Sequence, residues 1–485
     1  MATQKWKDDL ENALTEVLPQ YKVKELKSEQ KLILQNILEH NDCMVTLPTG
    51  YGKSLPYQIL LPVARKMKEL GSDTRTDGKI VVCGPLVSLF EDQVSKLQSV
   101  PMIKSAFKGA SKEVDEMIAK GDVDIVFASP EALVGDKDWR SIIQEFAVSL
   151  IVIDEFHTVA TWGGLEEPNE EKAFRKWFKY IGELRSLFPD ASLLALSATC
   201  TKKIRKLVME ALCLQTENLY VVTRSPNKTN IKIVVNKVES QIESSMCWLI
   251  DTIKVKKMDI EPMLLYANSI KDVSNLYKFI TTEIQDFKPY VQMYHSETTD
   301  QIKSLVLSDL QKCNHDLKIV IATSALGMGV DIVNINTVLF YGPPRSIVDL
   351  VQEVGRVGRD GSDSVAFILY NHNHMKFLDV EVKDLVKLND GCRRQNLLRN
   401  FISEKEVSEV AKKESDKHSC CDLCEKVCKC GNCMKLNVEL YFGPSGAFAS
   451  DLQLSSDSET ISYDKSLYLH MYESDTDIED LTDHD

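Results

Sequence analysis

The sequence LPTGYGKS (residues 47–54) combines glycines, a lysine and a hydroxyl in the order that phosphate binding requires. The apolar run before it predicts a buried strand, and the pattern after Ser54 predicts a helix towards Leu70. Glycines let backbone N–H groups close around phosphate oxygens. Lys53 would reach the β- and γ-phosphates of a bound nucleotide, and Ser54 would bind Mg²⁺. The loop residues predicted to hold the nucleotide are Thr49, Gly50, Gly52, Lys53 and Ser54. A plain glycine turn is the alternative, because Leu47 stands where the full pattern has glycine.

Two acidic residues follow a second apolar run, SLIVIDEFH (residues 149–157). The β-branched residues predict a buried strand, and ligands of open α/β sheets bind at the carboxyl ends of strands. Asp154 would hold Mg²⁺, and Glu155 would polarise the water that attacks the γ-phosphate. A strand followed by a solvated acidic turn is the alternative. The phosphate loop about a hundred residues upstream favours the catalytic interpretation.

A third motif, GRVGRDG (residues 355–361), contains two arginines three positions apart. That spacing places Arg356 and Arg359 on one face of a helix. Both suit the role of an arginine finger, which offers guanidinium charge to the transition state from across a cleft. Surface Arg–Asp ion pairs are the alternative.

Seven of the thirteen cysteines fall within residues 392–433. Cys421 and Cys424 form a C-x-x-C chelating pair, and Cys392 and Cys420 complete a tetrahedral set of four thiolates for Zn²⁺. Such a closed site is structural, because no position remains for a substrate. Reduced thiols in a loop are the alternative. Three further cysteines could be alternate ligands, a second metal site or free thiols: Cys428, Cys430 and Cys433.

The elements that position these motifs form two series of alternating strands and helices. The first series follows a helical segment over residues 1–40, and the second begins near Pro226. Strands that alternate with helices imply a parallel sheet with both faces covered. The chain therefore repeats one α/β architecture twice, with the join at residues 223–230, and becomes helical and then cysteine-rich after Tyr370.

The charge of the chain is unevenly distributed. The net charge is −14, and residues 451–485 contain eleven Asp and Glu and one Lys, so this tail carries −10 and the remainder −4. The tail is predicted to be disordered. A mildly acidic body means that any basic track for nucleic acid must be local. No apolar run reaches membrane-spanning length, and the N-terminus lacks the apolar core of a secretory signal.

In this order the motifs resemble those of superfamily-two helicases, and within them the RecQ DNA helicases, over roughly residues 20–430. The segment LKSEQ resembles the adenine-reading motif, with Gln30 on the base and Lys27 beside it. DEFH resembles the DExH box, although the family usually has Ala where Phe156 stands. Trp162-Gly163 and Phe174-Arg175 resemble the aromatic-rich loop that couples DNA to ATP hydrolysis, with residues 164–173 inserted between its halves.

The remaining blocks extend the resemblance. Residues 84–94 and 129–131 resemble DNA-contacting motifs, and residues 197–199 resemble motif III. Residues 266–269 and 294–295 resemble motif IV and the strand after it, whereas residues 323–331 resemble motif V and residues 352–361 motif VI. On these matches Asp331 and Gln352 are predicted to contact the nucleotide. The cysteines resemble the zinc module that follows the RecQ motor.

The resemblance implies an α/β fold with two tandem RecA-like parallel-sheet domains, a small helical zinc-binding module and a disordered acidic tail. The corresponding ranges are 1–222, 223–385, 386–435 and 436–485. The residues after Cys433 are too few and too acidic for the winged-helix module of many RecQ enzymes, so we expect none.

The implied function is ATP- and Mg²⁺-dependent 3′→5′ translocation on single-stranded DNA with unwinding of duplex DNA. The implied setting is nuclear DNA repair and recombination, without a membrane partner. Two alternatives stay open: an RNA helicase, and a DNA-binding scaffold that uses ATP as a conformational switch.

Overall fold

The computed structural model describes residues 4–72, 74, 78–165, 175–327, 332–413 and 419–429. The chain divides into two units, Met1–Pro226 and Asn227–Asp485. Within the described ranges, no helix is both long and apolar enough to cross a membrane. The predicted tail over residues 451–485 lies outside the described residues.

A seven-stranded sheet with only parallel pairings forms the centre of the first unit, in the order β3-β4-β2-β5-β6-β1-β7. Its inner strands are buried at nearly every position, as expected for a sheet that helices cover on both faces. The strands are β1 (Asp42–Thr46), β2 (Lys79–Cys83), β3 (Ser105–Phe107), β4 (Ile125–Ala128), β5 (Val148–Ile153), β6 (Ser192–Ser197) and β7 (Leu219–Thr223).

Ten helices accompany this sheet in the described part of the first unit. They are α1 (Gln4–Val17), α2 (Ser28–Leu38), α3 (Leu55–Gln58), α4 (Leu60–Glu69), α5 (Val87–Leu97), α6 (Lys112–Ala119), α7 (Lys137–Gln144), α8 (His157–Thr161), α9 (Leu184–Leu187) and α10 (Lys202–Ala211). Helix α1 buries Leu10, Leu14 and Val17, whose spacing of three to four residues places them on one face. This face packs in the same core as α2, α4 and β1.

Two helical predictions in this unit need correction. Residues 1–40 are not continuously helical, because a 3₁₀ turn at Leu18–Tyr21 ends at Lys22, whose φ is +56°. The helix predicted from Ser54 towards Leu70 is two helices, α3 and α4. Pro62 has no N–H with which to bond the carbonyl of Gln58 four residues earlier. The Tyr21 hydroxyl donates to that carbonyl instead, at 2.9 Å.

A six-stranded sheet, again with only parallel pairings, forms the centre of the second unit, in the order β10-β11-β9-β12-β13-β8. Its strands are β8 (Ile231–Lys237), β9 (Met263–Ala267), β10 (Val291–Tyr294), β11 (Ile319–Ala322), β12 (Thr337–Tyr341) and β13 (Ser364–Tyr370). The two predicted parallel sheets are therefore confirmed. Edge strand β8 pairs with β13 over its whole length, from Ile231 opposite Ser364 to Lys237 opposite Tyr370.

Helices of the second unit fall into two groups. Those between the strands are α11 (Ile242–Lys256), α12 (Ile270–Glu283), α13 (Asp300–Leu310) and α14 (Ile347–Val354). Those after the last strand are α15 (Val380–Lys387), α16 (Arg393–Leu398), α17 (Glu404–Lys413) and α18 (Asp422–Lys426). The switch from alternation to consecutive helices after β13 agrees with the change that the sequence predicts after Tyr370.

Candidate functional site

The glycine loop between β1 and α3 depends on two backbone conformations that favour glycine. Gly50 has φ +80° and Gly52 has φ +83°. A Cβ atom at Gly52 would lie 2.6 Å from Nε2 of Gln30. Any other residue at position 52 would therefore be strained twice, by its φ and by this contact. The loop places Lys53 and Ser54 immediately before α3.

Side chains from the start of α2 hold the carbonyls of this loop. The Gln30 amide donates to the carbonyl oxygens of Tyr51 at 3.1 Å and Gly52 at 2.9 Å. The Lys27 ammonium donates to the Tyr51 carbonyl at 3.2 Å and lies 4.2 Å from the centre of the Tyr51 ring. Two residues predicted to contact the nucleotide, Lys27 and Gln30, are thus in contact with the predicted phosphate loop.

A buried carboxylate beside them connects the loop with the end of β7. Glu29 is 5% exposed, and it accepts hydrogen bonds from the Tyr51 hydroxyl and from the guanidinium of Arg224. The hydrogen bond from Tyr51, with further bonds from Ser28 and Arg224, outweighs burial and lowers the pKa of Glu29 to about 2. Glu29 is therefore ionised at neutral pH and fixes the position of Tyr51.

The acid pair lies at the carboxyl end of β5, where the sequence places it. Asp154 accepts a hydrogen bond from the Glu155 N–H at 2.9 Å, and the Asp154 N–H donates to the Cys83 carbonyl at 2.8 Å. Glu155 has φ +48°, a left-handed conformation that costs a non-glycine residue about 1–2 kcal/mol. Strain of this kind persists where the surrounding structure fixes it, which is common at functional sites.

Lys53 is close enough to the acid pair to act on both carboxyl groups. Burial and the charge of Glu155 raise the pKa of Asp154, whereas the charge of Lys53 opposes that rise. For Glu155, burial is outweighed by the hydrogen bond from His157 and by the charges of Lys53 and His157, which lower its pKa. The lysine of the glycine loop and the two acids therefore form one electrostatic unit.

The end of β6 supports Glu155 from the side. Nδ1 of His157 lies 2.9 Å from the Ser197 hydroxyl and 3.3 Å from the Glu155 carboxylate. The Ser197 hydroxyl donates to the Thr199 carbonyl at 2.7 Å. His157 therefore links the acid pair to residues 197–199. Phe156 is fully buried, and its N–H donates to the Leu196 carbonyl at 2.9 Å, so the interior accommodates this large side chain.

In the second unit, the two predicted arginines lie just beyond α14, in a turn, so the prediction that they share one helical face is wrong. Gly355 caps the C-terminus of this helix, and Gln352 is on its last turn. Arg356 is 7% exposed. Burial and the nearby charges of both guanidinium groups lower the pKa of the Lys228 ammonium group. The two arginines and the end of α14 are thus brought together, whereas Asp331 lies outside the described residues.

The four predicted zinc ligands come together in the second unit. The sulfur atoms of Cys392, Cys420, Cys421 and Cys424 all lie within 4.8 Å of one another. Zinc binds thiolate at about 2.3 Å, which places the sulfurs of a tetrahedral site about 3.8 Å apart. The donor set therefore fits one Zn²⁺ ion. Cys428 is half-buried outside this group, and Cys430 and Cys433 lie outside the described residues.

Edge strand β8 supports this cysteine cluster. The Ile233 N–H donates to the Cys420 carbonyl at 3.2 Å, and Ile233 bridges Cys421 in parallel. Lys232, only 1% exposed, pairs with Glu425 at 2.8 Å. Arg393 binds the Asp422 carboxylate through two nitrogens, at 2.6 and 3.0 Å. Charged side chains with dedicated partners therefore fix the cluster to the second sheet.

Two family models match this chain. The model of the DEAD/DEAH box helicases matches residues 27–207, and that of the helicase conserved C-terminal domain matches residues 244–361. The first model covers the glycine loop and the acid pair, and the second covers both arginines. The cysteine cluster lies beyond both models.

Several curated helicases are similar to this chain. The bifunctional 3′-5′ exonuclease/ATP-dependent helicase WRN of Mus musculus is 26% identical over 440 residues, 85% of this chain and 29% of the relative. The ATP-dependent DNA helicase RecQ of Haemophilus influenzae is 28% identical, over 70% of this chain and 50% of the relative. The ATP-dependent DNA helicase Q1 of Mus musculus is 26% identical, over 90% of this chain and 64% of the relative.

The chain is a homologue of the RecQ-family helicases. It spans between about a third and two thirds of the length of these three relatives. Among solved structures, Saccharomyces cerevisiae Dbp5 bound to RNA and ADP BeF3 aligns with a TM-score of 0.55 and 16% identity, over 84% of this chain and 96% of that one. At that identity the likeness concerns the fold, which is the pair of RecA-like domains.

In this RecQ homologue, a main-chain hydrogen bond joins the two halves of the predicted aromatic-rich loop. The Arg175 N–H donates to the Trp162 carbonyl at 3.0 Å, although twelve residues lie between them. The Arg175 guanidinium lies 5.8 Å from the Trp162 ring, binds the Glu131 carboxylate through two nitrogens and donates to the Pro85 carbonyl. One arginine thus joins three segments that resemble nucleic-acid-contacting motifs. Phe174 and residues 166–173 lie outside the described residues.

Sequence reasoning missed the residues that support the RecQ-type motifs. Glu29 and Arg224 are separated by 195 residues, and Arg394 reaches residues more than 160 positions away. No spacing rule predicts such pairs. One signal was available for Arg393 and Arg394, because two arginines directly after a zinc ligand have to find partners if they are buried. Both are below 5% exposed.

Proposed function

We propose that this RecQ homologue is an ATP-dependent helicase that moves 3′→5′ along single-stranded DNA and unwinds duplex DNA ahead of it. The observation that carries the proposal is the electrostatic unit of Lys53, Asp154 and Glu155. A lysine in a glycine loop and two acids at a strand end are the groups that ATP hydrolysis with Mg²⁺ requires.

The residues of the first unit divide this chemistry between them. Backbone N–H groups of the glycine loop hold the phosphates, and Lys53 neutralises their charge. Ser54 and Asp154 would hold Mg²⁺, which would neutralise negative charge on the phosphates. Glu155 orients the attacking water, and His157 and Ser197 fix the direction of its carboxylate. The remaining nucleotide contacts are assigned to Lys27, Gln30, Thr49, Gly50, Gly52, Asp331 and Gln352.

Arg356 and Arg359 of the second unit provide positive charge in the transition state. A guanidinium group offers a planar pair of donors that matches the equatorial oxygens of the transferring phosphoryl group. Their contribution should therefore appear in the rate of hydrolysis and much less in the affinity for ATP.

Nucleic acid is proposed to bind the first unit around Trp162 and Arg175. Aromatic rings stack on bases without regard to sequence, which suits a motor that must move along any strand. The bond network of Arg175 joins this ring to Glu131 and Pro85, so a strand bound there could be sensed by three segments together.

The cysteine cluster is proposed to hold one structural Zn²⁺ ion. Four thiolates complete its coordination and leave no position for a substrate. This module also favours DNA over RNA as the substrate, because it resembles the module that follows the RecQ motor. A nuclear location and a role in DNA repair and recombination follow from the same resemblance.

The decisive experiment compares unwinding of a duplex with a 3′ single-stranded tail, the same duplex with a 5′ tail, and an RNA duplex with a 3′ tail. We expect unwinding of the 3′-tailed DNA alone, in the presence of ATP and Mg²⁺. A 5′ preference would refute the polarity, and unwinding of the RNA alone would favour the RNA helicase.

A multiple-turnover ATPase assay with and without single-stranded DNA tests the remaining alternative. We expect DNA to stimulate ATP hydrolysis by the full chain. Tight DNA binding that depends on ATP but proceeds without turnover would identify a scaffold that uses ATP as a conformational switch.

A further inference from the structure

The backbone that carries Arg356 and Arg359 is held by a lysine from a distant part of the chain. The Lys228 ammonium donates to the Gly355 carbonyl at 2.8 Å and to the Val357 carbonyl at 3.3 Å. We call residues 355–359 the arginine turn. Because α14 ends at Val354, these carbonyls lie directly after its C-terminus, where positive charge is favourable.

A second residue, two positions further along, holds the other end of the arginine turn. The Asn230 amide donates to the Gly358 carbonyl at 2.9 Å and to the Ser362 carbonyl at 2.7 Å. A Cβ atom at Gly358 would lie 2.6 Å from the Asn230 amide nitrogen. Lys228 and Asn230 therefore bind the carbonyls of residues on both sides of Arg356 and the carbonyl next to Arg359.

Electrostatic repulsion from the two arginines disfavours a charged lysine at position 228. Burial, together with the charges of Arg359 and Arg356, lowers the pKa of Lys228 to about 8. The ammonium group is thus held close to two guanidinium groups that repel it. A lysine that served only to cap a helix would be more stable at an exposed end, away from other cations.

The segment around Lys228 is held in turn by Arg394, which lies two residues after Cys392 of the cysteine cluster. One guanidinium nitrogen of Arg394 donates to the Asn227 side chain at 3.0 Å and to the Lys228 carbonyl. Another nitrogen donates to the Ile231 carbonyl at 2.7 Å, and Nε lies 3.2 Å from the Cys420 sulfur. A continuous set of bonds within the second unit therefore runs from the cysteine cluster to the arginine turn.

We infer that Lys228 is a positioning residue for Arg356 and Arg359, and that Arg394 fixes the segment from which Lys228 acts. This inference rests on the proposed function, in which these arginines promote ATP hydrolysis. Lys228 acts by holding the backbone carbonyls of the arginine turn. The position of this backbone determines where both arginine side chains start and therefore where their guanidinium groups lie. Loss of the lysine would let the turn shift while both arginines remain present.

The test uses the full chain and five variants. Lys228→Met removes the donors, Lys228→Arg retains them, and Lys237→Met makes the same change at an exposed lysine of β8. The fourth variant is Arg359→Ala, and the fifth combines it with Lys228→Met. The measurements are single-turnover ATP hydrolysis with saturating single-stranded DNA, equilibrium binding of a fluorescent ATP analogue, and melting temperature.

We expect Lys228→Met to lower the hydrolysis rate about tenfold to a hundredfold, because a misplacement of about 1 Å can have that effect. Affinity for the analogue should change less than about twofold, since the ground-state contacts come from the glycine loop. Lys228→Arg should recover most of the rate, and Lys237→Met should leave it unchanged. In the Arg359→Ala background, Lys228→Met should cause little further loss, because both changes remove the same contribution.

Independent losses that multiply in the double variant would overturn the inference, as would an unchanged rate in Lys228→Met. If Lys228→Met is insoluble, Lys228→Gln, which keeps one donor group, takes its place in the same comparison. A wild-type chain without any ATP turnover would instead overturn the proposed function, and the inference with it. The wild-type measurement therefore separates the two failures.

Discussion

The acid pair, through Asp154, and the cysteine cluster are both predicted to bind a divalent cation, yet they are built in opposite ways. Asp154 and Glu155 are neighbours in sequence at the end of one strand, and Glu155 has a strained left-handed backbone. The cysteine cluster joins residues 28 positions apart, and main-chain bonds and buried ion pairs fix it to β8. The first arrangement would leave carboxylate oxygens for a ligand that is exchanged in each cycle, whereas the second would enclose its predicted ion.

Because of this difference, we expect the acid pair to contribute to catalysis and the cysteine cluster to contribute to stability. Carboxyl groups whose pKa values are moved in opposite directions by burial and by neighbouring charges are suited to chemistry, because each can take a different role. Four thiolates around one ion contribute folding free energy. Variants of the first unit's site should therefore lose turnover at nearly constant stability, and variants of the cluster should lose stability first.

The largest effect on the catalytic side is expected from Lys53→Ala. This change removes the charge that acts on the phosphates and on both acids, so ATP hydrolysis should fall to background. The melting temperature should change little, because Lys53 is half-buried and lies outside the hydrophobic core of the first unit. DNA-stimulated ATPase activity is the measurement, with Lys120→Ala at an exposed lysine as the control.

Comparable activity in Lys53→Ala and the wild type would contradict the assignment of the phosphate loop. A large loss of stability in Lys53→Ala would remove the contrast between the two cation sites.

Arg359→Ala should have the next largest effect and should act on the rate alone. Arginine fingers are worth on the order of 10³ to 10⁵ in rate, and we expect a loss of at least about a hundredfold here, because Arg356 remains. Arg359→Lys should not recover the rate, since an ammonium group lacks the planar pair of donors. Single-turnover hydrolysis and equilibrium binding of an ATP analogue are measured together. A parallel fall in both would show that Arg359 holds the ground state or the fold.

The sequence predicts the contrast between the sites only in part. Motif spacing was sufficient for the two parallel sheets and for the Cys421–Cys424 pair, because strand ends and C-x-x-C pairs follow short-range rules. Cys392 lies 28 positions before Cys420, and its place in the cluster was expected only from the resemblance to the RecQ zinc module.

Motif spacing was insufficient for α3 and α4, where Pro62 and the Tyr21 hydroxyl interrupt a helix that periodicity predicts as continuous. It also could not provide the contacts of Glu29 or Lys228, since these depend on which distant segments the fold brings together.

Substitution of one cysteine tests whether the cysteine cluster has a structural role. Cys421→Ser should abolish the bound zinc and destabilise the second unit, because structural zinc contributes about 10 kcal/mol or more of binding free energy at neutral pH. Metal analysis of the purified chain should find one zinc ion per wild-type molecule and none per variant. Cys247→Ser, at an exposed cysteine outside the cluster, is the control.

Two zinc ions per chain would implicate the cysteines after Cys424 in a second site. Soluble, monodisperse wild-type protein without zinc would contradict the structural role of the cluster.

The smallest effect is expected from Glu29→Gln, which tests whether the charge of Glu29 stabilises the glycine loop. The folded-state pKa of Glu29 is about 2, below the ordinary value of 4.5. A depressed carboxyl pKa contributes stability that is fully present above pH 4.5 and is lost as the pH falls towards 2. At pH 7 the variant should therefore be less stable than the wild type by about 1.5–3 kcal/mol, the range for a hydrogen bond to a charged group.

That deficit should shrink as the pH is lowered from about 4.5, because the wild type then loses the same contribution. Urea unfolding at pH 7, 4.5 and 3, with the exposed Glu116→Gln as the control, measures the difference. A deficit that stays constant down to pH 3 would mean that Glu29 stabilises the loop by packing rather than by charge. Because Glu29 holds Tyr51 beside Lys53, a pH-dependent deficit would also show that the catalytic loop is stabilised by charged neighbours outside the acid pair.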